Sequence, residues 1–384
     1  MFLEKVTIII SMLYSLALSQ ELTGESSAGS PRLSFAKSSQ VFEPAFTRHI
    51  LLRDLDSDGD LDAVFANCTL FDSRILLNNG GGEFSATEQL LSKQAHGIDV
   101  GDLDGDGDLD IFITCHYYVK DSVSYNLPSK VYLNDGKAAF SEHQQLGDSL
   151  LSGNVVHLLD IDSDGDLDAL IDYYNEPDKI YLNDGKASFS ASDLTYPECS
   201  TFGDLNNDGK IDTWVSIAGS GYEVRFGDGL GAFTKSWQVA DSTVVISLAF
   251  LGDLDRDEDL DAVVVNFDRN GCYPTRIWYN DGTGRFTKSN VELPGVFRGT
   301  VTLGDLNNDG FADAVATNHD NYVYVWINDG RGCLVDTALR LGNKSDKNES
   351  AALGDIDNDG DLDIFVAEGR GGRNTIWINE LVNE

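Results

Sequence analysis

Gly354-Asp355-Ile356-Asp357-Asn358-Asp359-Gly360-Asp361-Leu362-Asp363-Ile364-Phe365-Val366 is the stretch that decides how this chain folds. Nine residues alternate acids with other residues around one glycine, and an apolar, β-branched and aromatic run follows at once. The acidic nonapeptide recurs seven times, starting at Asp54, Asp102, Asp160, Asp204, Asp253, Asp305 and Asp355, at intervals of 44 to 58 residues. A period of about 50 residues matches one four-stranded propeller blade rather than a helical solenoid repeat. Seven copies predict an all-β, seven-bladed β-propeller with a calcium-binding loop in each blade.

The spacing carries the chemistry. Positions 1, 3 and 5 put carboxylates on the inside of a tight turn, glycine at 6 takes φ > 0, the carbonyl at 7 points inward and Asp at 9 closes the cage. Oxygen-only ligands select a hard cation, for which Ca²⁺ is the expected choice. The predicted ligand sets use side chains at 1, 3, 5 and 9 and the carbonyl at 7. They are Asp54, Asp56, Asp58, Asp60 and Asp62; Asp102, Asp104, Asp106, Asp108 and Asp110; Asp160, Asp162, Asp164, Asp166 and Asp168; and Asp355, Asp357, Asp359, Asp361 and Asp363. In the fourth set (Asp204, Asn206, Asp208, Lys210, Asp212) and the sixth (Asp305, Asn307, Asp309, Phe311, Asp313) an amide oxygen replaces one carboxylate, which lowers charge and expected affinity. The fifth (Asp253, Asp255, Asp257, Asp259, Asp261) has Glu258 where glycine is wanted, a conformational cost on the order of 1 kcal/mol. Up to seven Ca²⁺ are expected.

An EF-hand, the first rival, needs a bidentate Glu at position 12 and flanking helices. Position 12 is Phe65, Ile113, Ile171, Val215, Val264, Ala316 and Val366, all apolar. The runs around them read as buried strands. A second repeated element is a turn: Asn78-Asn79-Gly80, Asn134-Asp135-Gly136, Asn183-Asp184-Gly185, Asn280-Asp281-Gly282 and Asn328-Asp329-Gly330. Such pairs are hairpin signals, and an aromatic usually follows within a few residues. Each blade is therefore expected to run strand, calcium loop, strand, variable loop, strand, turn, strand.

These motifs resemble the FG-GAP or VCBS repeat propellers related to the integrin α-subunit head, over roughly residues 32–381. The chain looks closer to the VCBS variant: no Gly-Ala-Pro occurs, and blade four has Phe226-Gly227-Asp228-Gly229. The resemblance implies calcium binding and an extracellular recognition role without a particular partner.

The last repeat ends after Thr375-Ile376-Trp377-Ile378-Asn379 with no fourth strand, while Leu33 to Gln40 resembles Phe84-Ser85-Ala86-Thr87-Glu88-Gln89. Residues near 33–40 are expected to complete blade seven and cover a sheet edge. Residues 1–19 read as a signal peptide, 20–31 as a polar linker and 32–384 as the propeller. About 13 apolar-rich residues are short for a membrane span of roughly 20, so a secreted or cell-surface chain without a span in its mature form is expected.

The formal charge is −37, and 32 of the 64 acidic residues lie inside the seven loops, so half the acidity belongs to the expected metal sites. Nucleic acid is excluded as a partner, since no basic patch is present to neutralise phosphates. Five cysteines leave at least one unpaired; a Cys68–Cys115 bridge is one option, with Cys272 placed in a loop. The variable loops are expected on the face opposite the calcium loops, carrying Phe71, His116, Tyr117, Tyr118, Tyr125, Tyr173, Tyr174, Tyr222, Phe267, Tyr273, His319 and Tyr322. Of these, Tyr117, Tyr118, Tyr125, Tyr174 and Tyr273 are the candidate contacts for a glycan or extracellular protein ligand, although loop aromatics also serve simply to pack loops down. Repetition of Trp278, Trp326 and Trp377 argues for packing, and His49, His96 and His157 are placed on innermost strands. No Gly-x-Ser-x-Gly elbow, His-Glu-x-x-His helix or phosphate loop occurs. A monomeric binding module is the favoured expectation, and a polysaccharide lyase using Tyr117, His116, Arg370 or Arg373 is the alternative.

Overall fold

The computed structural model describes residues 33–381 apart from residues 70, 117, 121–122, 126, 148–151, 174–176, 195, 197–199, 241–245, 269 and 320–321. The segments expected as signal peptide and linker, and the candidates Tyr117 and Tyr174, therefore lie outside the described residues.

Seven four-stranded antiparallel sheets follow one another along the chain. Blade one comprises Thr47–Arg53, Asp62–Asn67, Asp72–Asn78 and Phe84–Lys93; blade two comprises Ala95–Gly101, Asp110–Cys115, Ser129–Leu133 and Ser141–Leu146. Blades three to six repeat the pattern, and their second strands are Asp168–Tyr173, Asp212–Ile217, Asp261–Asp268 and Asp313–Ala316. In blade seven, Asn348–Gly354, Asp363–Glu368 and Thr375–Asn379 are joined by Phe35–Lys37 from the other end of the chain, with Phe35 opposite Asn379 and Lys37 opposite Trp377. Every acidic nonapeptide is thus the link from an innermost strand to a second strand. No helix occurs among the described residues.

Second strands are short and β-branched or aromatic because they are covered on both faces. Every residue of Asp62–Asn67 and Asp110–Cys115 is buried. Adjacent blades share clusters, such as Val64, Ile75, Ile98 and Ile113 between blades one and two. Trp278 and Trp326 pack as their repetition suggests, and Trp377 is partly covered. Blade four has a different solution: Trp214, on a second strand and fully buried, packs edge-on against Phe286 with centroids 4.7 Å apart and also meets Trp278 of blade five. Replacing such a buried ring by Ala costs about 3–5 kcal/mol.

Neighbouring blades are also stitched by side chains. Gln89 binds both backbone groups of Phe140 in the next blade, with Nε2 donating to the carbonyl at 2.8 Å and Oε1 accepting the N–H at 3.0 Å. Gln144 does the same for Phe189. Gln40, just beyond Phe35–Lys37, does it for Phe84, so the N-terminal segment meets blade one as other outer strands meet their neighbours.

Two expectations are corrected. Cys68, Cys115, Cys272 and Cys333 are free thiols, so Cys68 and Cys115 form no bridge; the Cys68 thiol donates instead to the Ala95 carbonyl at 3.1 Å. Cys199 lies outside the described residues. Cys272 is in a strand rather than a loop, because Asp268 lies directly opposite Gly271 and the strand Gly271–Asn280 starts at once.

Candidate metal centres

The residues at position 9, Asp62, Asp110, Asp168, Asp212, Asp261, Asp313 and Asp363, open the second strands and are buried. In blade one the Leu55 N–H donates to Asp62 Oδ2 at 3.0 Å and the Asn78 N–H to Oδ1 at 2.9 Å. The same two bonds recur in the other six blades. Burial pushes these carboxyls up, to about 6 at Asp62 and Asp110, about 7 at Asp168, Asp212, Asp313 and Asp363, and about 8 at Asp261. The N–H bonds pull the other way, and neighbouring loop carboxylates add to the rise.

Positions 1 to 7 make a repeated turn. Position 1 accepts the N–H of position 6, as from Gly59 to Asp54 at 3.0 Å and from Gly360 to Asp355 at 3.0 Å. Position 5 accepts the N–H of position 7, including Lys210 to Asp208 and Phe311 to Asp309. The glycine at 6 is left-handed, with φ of 96° at Gly59 and 94° at Gly360, and Glu258 is forced to 72°. A Cβ at Gly59 or Gly360 would touch nothing within 4 Å, so the demand is for backbone conformation rather than space. Position 4 is left-handed too, at Ser57, Asn207, Arg256, Asn308 and Asn358, a requirement missed in the sequence although Asn and Gly there were a signal.

Each of five loops brings three carboxylate oxygens within 4.8 Å of one another: Asp54, Asp56 and Asp58; Asp102, Asp104 and Asp110; Asp160, Asp162 and Asp168; Asp253, Asp255 and Asp261; Asp355, Asp357 and Asp359. Asn206 and Asn307 stand at position 3 of the other two. Several of these carboxylates, those of Asp54, Asp56, Asp160, Asp162, Asp255 and Asp357, have an Oδ1 that is buried without any hydrogen-bond donor. A buried carboxylate oxygen with no donor is costly unless a cation meets it. The donor set, oxygen only and convergent, fits a hard divalent ion.

The turn asparagines, read from sequence only as hairpin signals, tie the centres into a ring. Asn78 Nδ2 donates to the Leu61 carbonyl of its own loop at 3.2 Å and to the Ile356 carbonyl of the previous blade's loop at 2.8 Å. Asn134, Asn183, Asn280, Asn328 and Asn379 reach Leu55, Leu103, Leu205, Leu254 and Leu306 in the same way. Gly227 stands in that place in blade four. Position 4 reaches across as well, Asn358 to Asp60 at 2.8 Å and Asn308 to Asp361 at 2.6 Å; where position 7 is Phe311, position 4 is Arg256, whose guanidinium lies 5.2 Å from the ring.

Of the candidate ligand contacts, Tyr118 and Tyr125 are register partners in the paired strands Tyr118–Lys120 and Val123–Tyr125. Tyr273 is 40% exposed, on a strand rather than a loop. Tyr173, Tyr222, Phe267 and His319 are buried and serve packing. His49 and His157 line an axial cavity of about 110 Å³ with Asp99 and Phe202; burial holds both imidazoles neutral, at about 4, aided at His49 by His157 and Arg48 and opposed at His157 by the Asp172 carboxylate. His96 stacks on His116 with centroids 4.3 Å apart.

A model of the FG-GAP-like repeat matches residues 54–113, 253–316 and 305–366. The chain thus carries three matched FG-GAP-like repeats within its seven-bladed β-propeller. It is 38% identical over 79 residues to the "Probable calcium-binding protein CML31" of Arabidopsis thaliana, a match covering 19% of this chain and 49% of that protein, so the chain spans about half the length of this curated relative. Its fold is similar to a chain in the crystal structure of BBS1N in complex with ARL6DN soaked with lead, with a TM-score of 0.58, 12% identity and coverage of 90% of this chain and 96% of that one. The mercury-soaked crystal gives a TM-score of 0.58 at 11% identity, covering 93% and 99%. These likenesses concern the fold alone.

Proposed function

We propose that this propeller is a secreted, calcium-stabilised recognition module whose metal sites are structural and whose ligand, a glycan or an extracellular protein, docks on the face opposite the calcium loops. The observation that carries the metal half is the set of buried, donorless carboxylate oxygens in loops whose positions 1, 3 and 9 or 1, 3 and 5 converge. Side chains at positions 1, 3, 5 and 9, with the position 7 carbonyl, would hold each ion. Bound Ca²⁺ supplies charge neutralisation and no bond-making chemistry. Binding to the folded chain alone stabilises it by mass action. The Phe35–Lys37 strand acts as a clasp that removes an open edge from blade seven.

Recognition on the opposite face is supported by sequence variation between the blades there, by the exposure of Tyr273 and by the hairpin carrying Tyr118 and Tyr125. Calcium titration of chelator-treated protein, followed by bound-metal stoichiometry and melting temperature, tests the metal half. Five to seven ions with a large rise in melting temperature is the expected result; one or two ions with little stabilisation would sink it. Glycan and cell-surface binding by the Tyr118→Ala and Tyr273→Ala proteins tests the other half, with loss expected.

A further inference from the structure

Position 4 of the acidic loop stands between the predicted ligands at 3 and 5 and supplies none itself, yet its identity changes around the ring: Ser57, Gly105, Ser163, Asn207, Arg256, Asn308 and Asn358. Its backbone is left-handed in all seven loops, with φ from 56° at Asn308 to 79° at Gly105. Where the side chain is long enough, it meets position 7 of the next loop. Asn358 Nδ2 donates to Asp60 Oδ1 at 2.8 Å and to the Gly80 carbonyl at 3.1 Å. Asn308 Nδ2 donates to Asp361 Oδ1 at 2.6 Å, and Asn207 Nδ2 to Asp259 Oδ1 at 2.5 Å. Between loops five and six, the Arg256 guanidinium lies 5.2 Å from the Phe311 ring.

Each link joins the backbone between two ligands of one loop to the residue whose carbonyl is a predicted ligand of the next. Three of the links end on carboxylates, which makes them charge-assisted. They run without interruption from loop four through five, six and seven to loop one. From loop one to loop four, position 4 is Ser57, Gly105 and Ser163, and Gly105 has no side chain to reach with. A Cβ on Gly105 would lie 3.8 Å from the Gly185 carbonyl, the counterpart of the Gly80 carbonyl that Asn358 binds, so the path is open and only the donor is missing. The linked arc contains the three loops with weakened sequences, those of Asn206, Glu258 and Asn307, whereas loops two and three outside it keep all four carboxylates and the glycine.

We propose that position 4 couples neighbouring calcium sites, so that loops four, five, six, seven and one fill cooperatively while loops two and three fill independently. When the Asp60 carbonyl is fixed as a ligand in loop one, its carboxylate is fixed as well, and Asn358 bound to it holds the backbone between Asp357 and Asp359 of loop seven. Ordering that loop seven would otherwise have to undergo on binding is then already done, which is positive cooperativity without a change of shape. The coupling is reciprocal, so loop one gains from loop seven by the same factor. Repulsion between neighbouring ions acts in the opposite sense and is screened by salt at these solvent-facing loops. The inference rests on the loops being calcium sites.

The test is calcium titration of the full chain labelled with ¹⁵N at glycine, in which the amides of Gly59, Gly165 and Gly360, each at position 6, report on loops one, three and seven separately. Replacing two loop seven ligands (Asp357→Ala, Asp359→Ala) is expected to weaken loop one at least about fivefold and to leave loop three unchanged. Asn358→Gly keeps the left-handed backbone and every predicted ligand. It is expected to weaken loop one by a like factor, after which removing the loop seven ligands has no further effect. Gly105→Asn supplies the missing donor and is expected to tighten loop three. Loop one indifferent to both loop seven changes, an equal loss at loop three, a ligand effect undiminished in the Asn358→Gly protein, or loop three indifferent to Gly105→Asn would each overturn the coupling while leaving the calcium sites standing. Glycine amides unmoved by calcium in the parent chain would overturn the calcium reading and the coupling with it.

Discussion

The two ends of this propeller are built on opposite rules. At the end with the acidic loops every blade repeats one loop, its negative charges converge, and an asparagine from six of the seven blades reaches the loop of the blade before. At the other end the connections differ from blade to blade, and a run of backbone bonds through Phe297, His319, Lys347, Gly369 and Ala45 joins blades six, seven and one. Repetition serves a ring that must close, whereas a ligand surface needs the asymmetry that repetition would erase.

Removing calcium should affect the first end most. With ions present at about a hundredfold over their Kd, each site contributes about 2.7 kcal/mol, so chelation is expected to lower the melting temperature by more than about 10 °C. The Arg298→Ala, Arg370→Ala protein, altered at two exposed positions of the other end, should melt like the parent. A calorimetric scan with and without chelator compares the two, and equal sensitivity would erase the distinction.

Asn134→Ala removes the donor to the Leu55 and Leu109 carbonyls, leaving buried acceptors, and is expected to cost about 1–3 kcal/mol. Phe71→Ala, at an exposed position of the other end, should fall within about 0.5 kcal/mol. Urea midpoints at constant m-value measure both. A small Asn134 effect would mean that the stitches between blades are decorative.

Proton linkage sharpens the picture. The position 9 carboxyls are raised, to about 7 at Asp168 and about 8 at Asp261, above the usual range of an unfolded chain. Between those ranges the folded calcium-free protein binds more protons than the unfolded one, so its stability is expected to fall as pH rises from about 4 to 8. Calcium must displace the same protons, so its affinity should fall as pH drops from 8 to 6. Apo melting curves and calcium titrations over that range read the two signs; a calcium affinity independent of pH would exclude these carboxylates as ligands.

A modest gain rather than a loss is expected from Glu258→Gly. The fifth loop holds Glu258 at φ 72°, so glycine should stabilise the protein by about 0.5–1 kcal/mol and tighten the fifth site relative to the others.

Much was legible because the signals were local. A carboxylate at every second residue with glycine at position 6 defines a turn by its own geometry, and the apolar run after it could only be a buried strand. The wholly buried Asp62–Asn67 is such a run. Where the reading failed, the deciding contact came from distant residues. Tyr222 was placed on an exposed loop and is buried, its hydroxyl donating to Asn266 of the next blade at 3.1 Å. Cys272 was placed in a loop because a two-residue turn after Asp268 was not foreseen.

By itself the sequence determined the repeat, the blade count and the positions at which oxygens converge, since each depends on neighbours within nine residues or on periodicity. Only the tertiary structure decided that the turn asparagines bind across blades, that position 4 pairs with position 7 of the next loop, and that His319 pairs with both Phe297 and Lys347. Those partners are roughly 50 to 300 residues apart or sit on irregular segments, and curvature of the ring, which no local pattern encodes, brings them together.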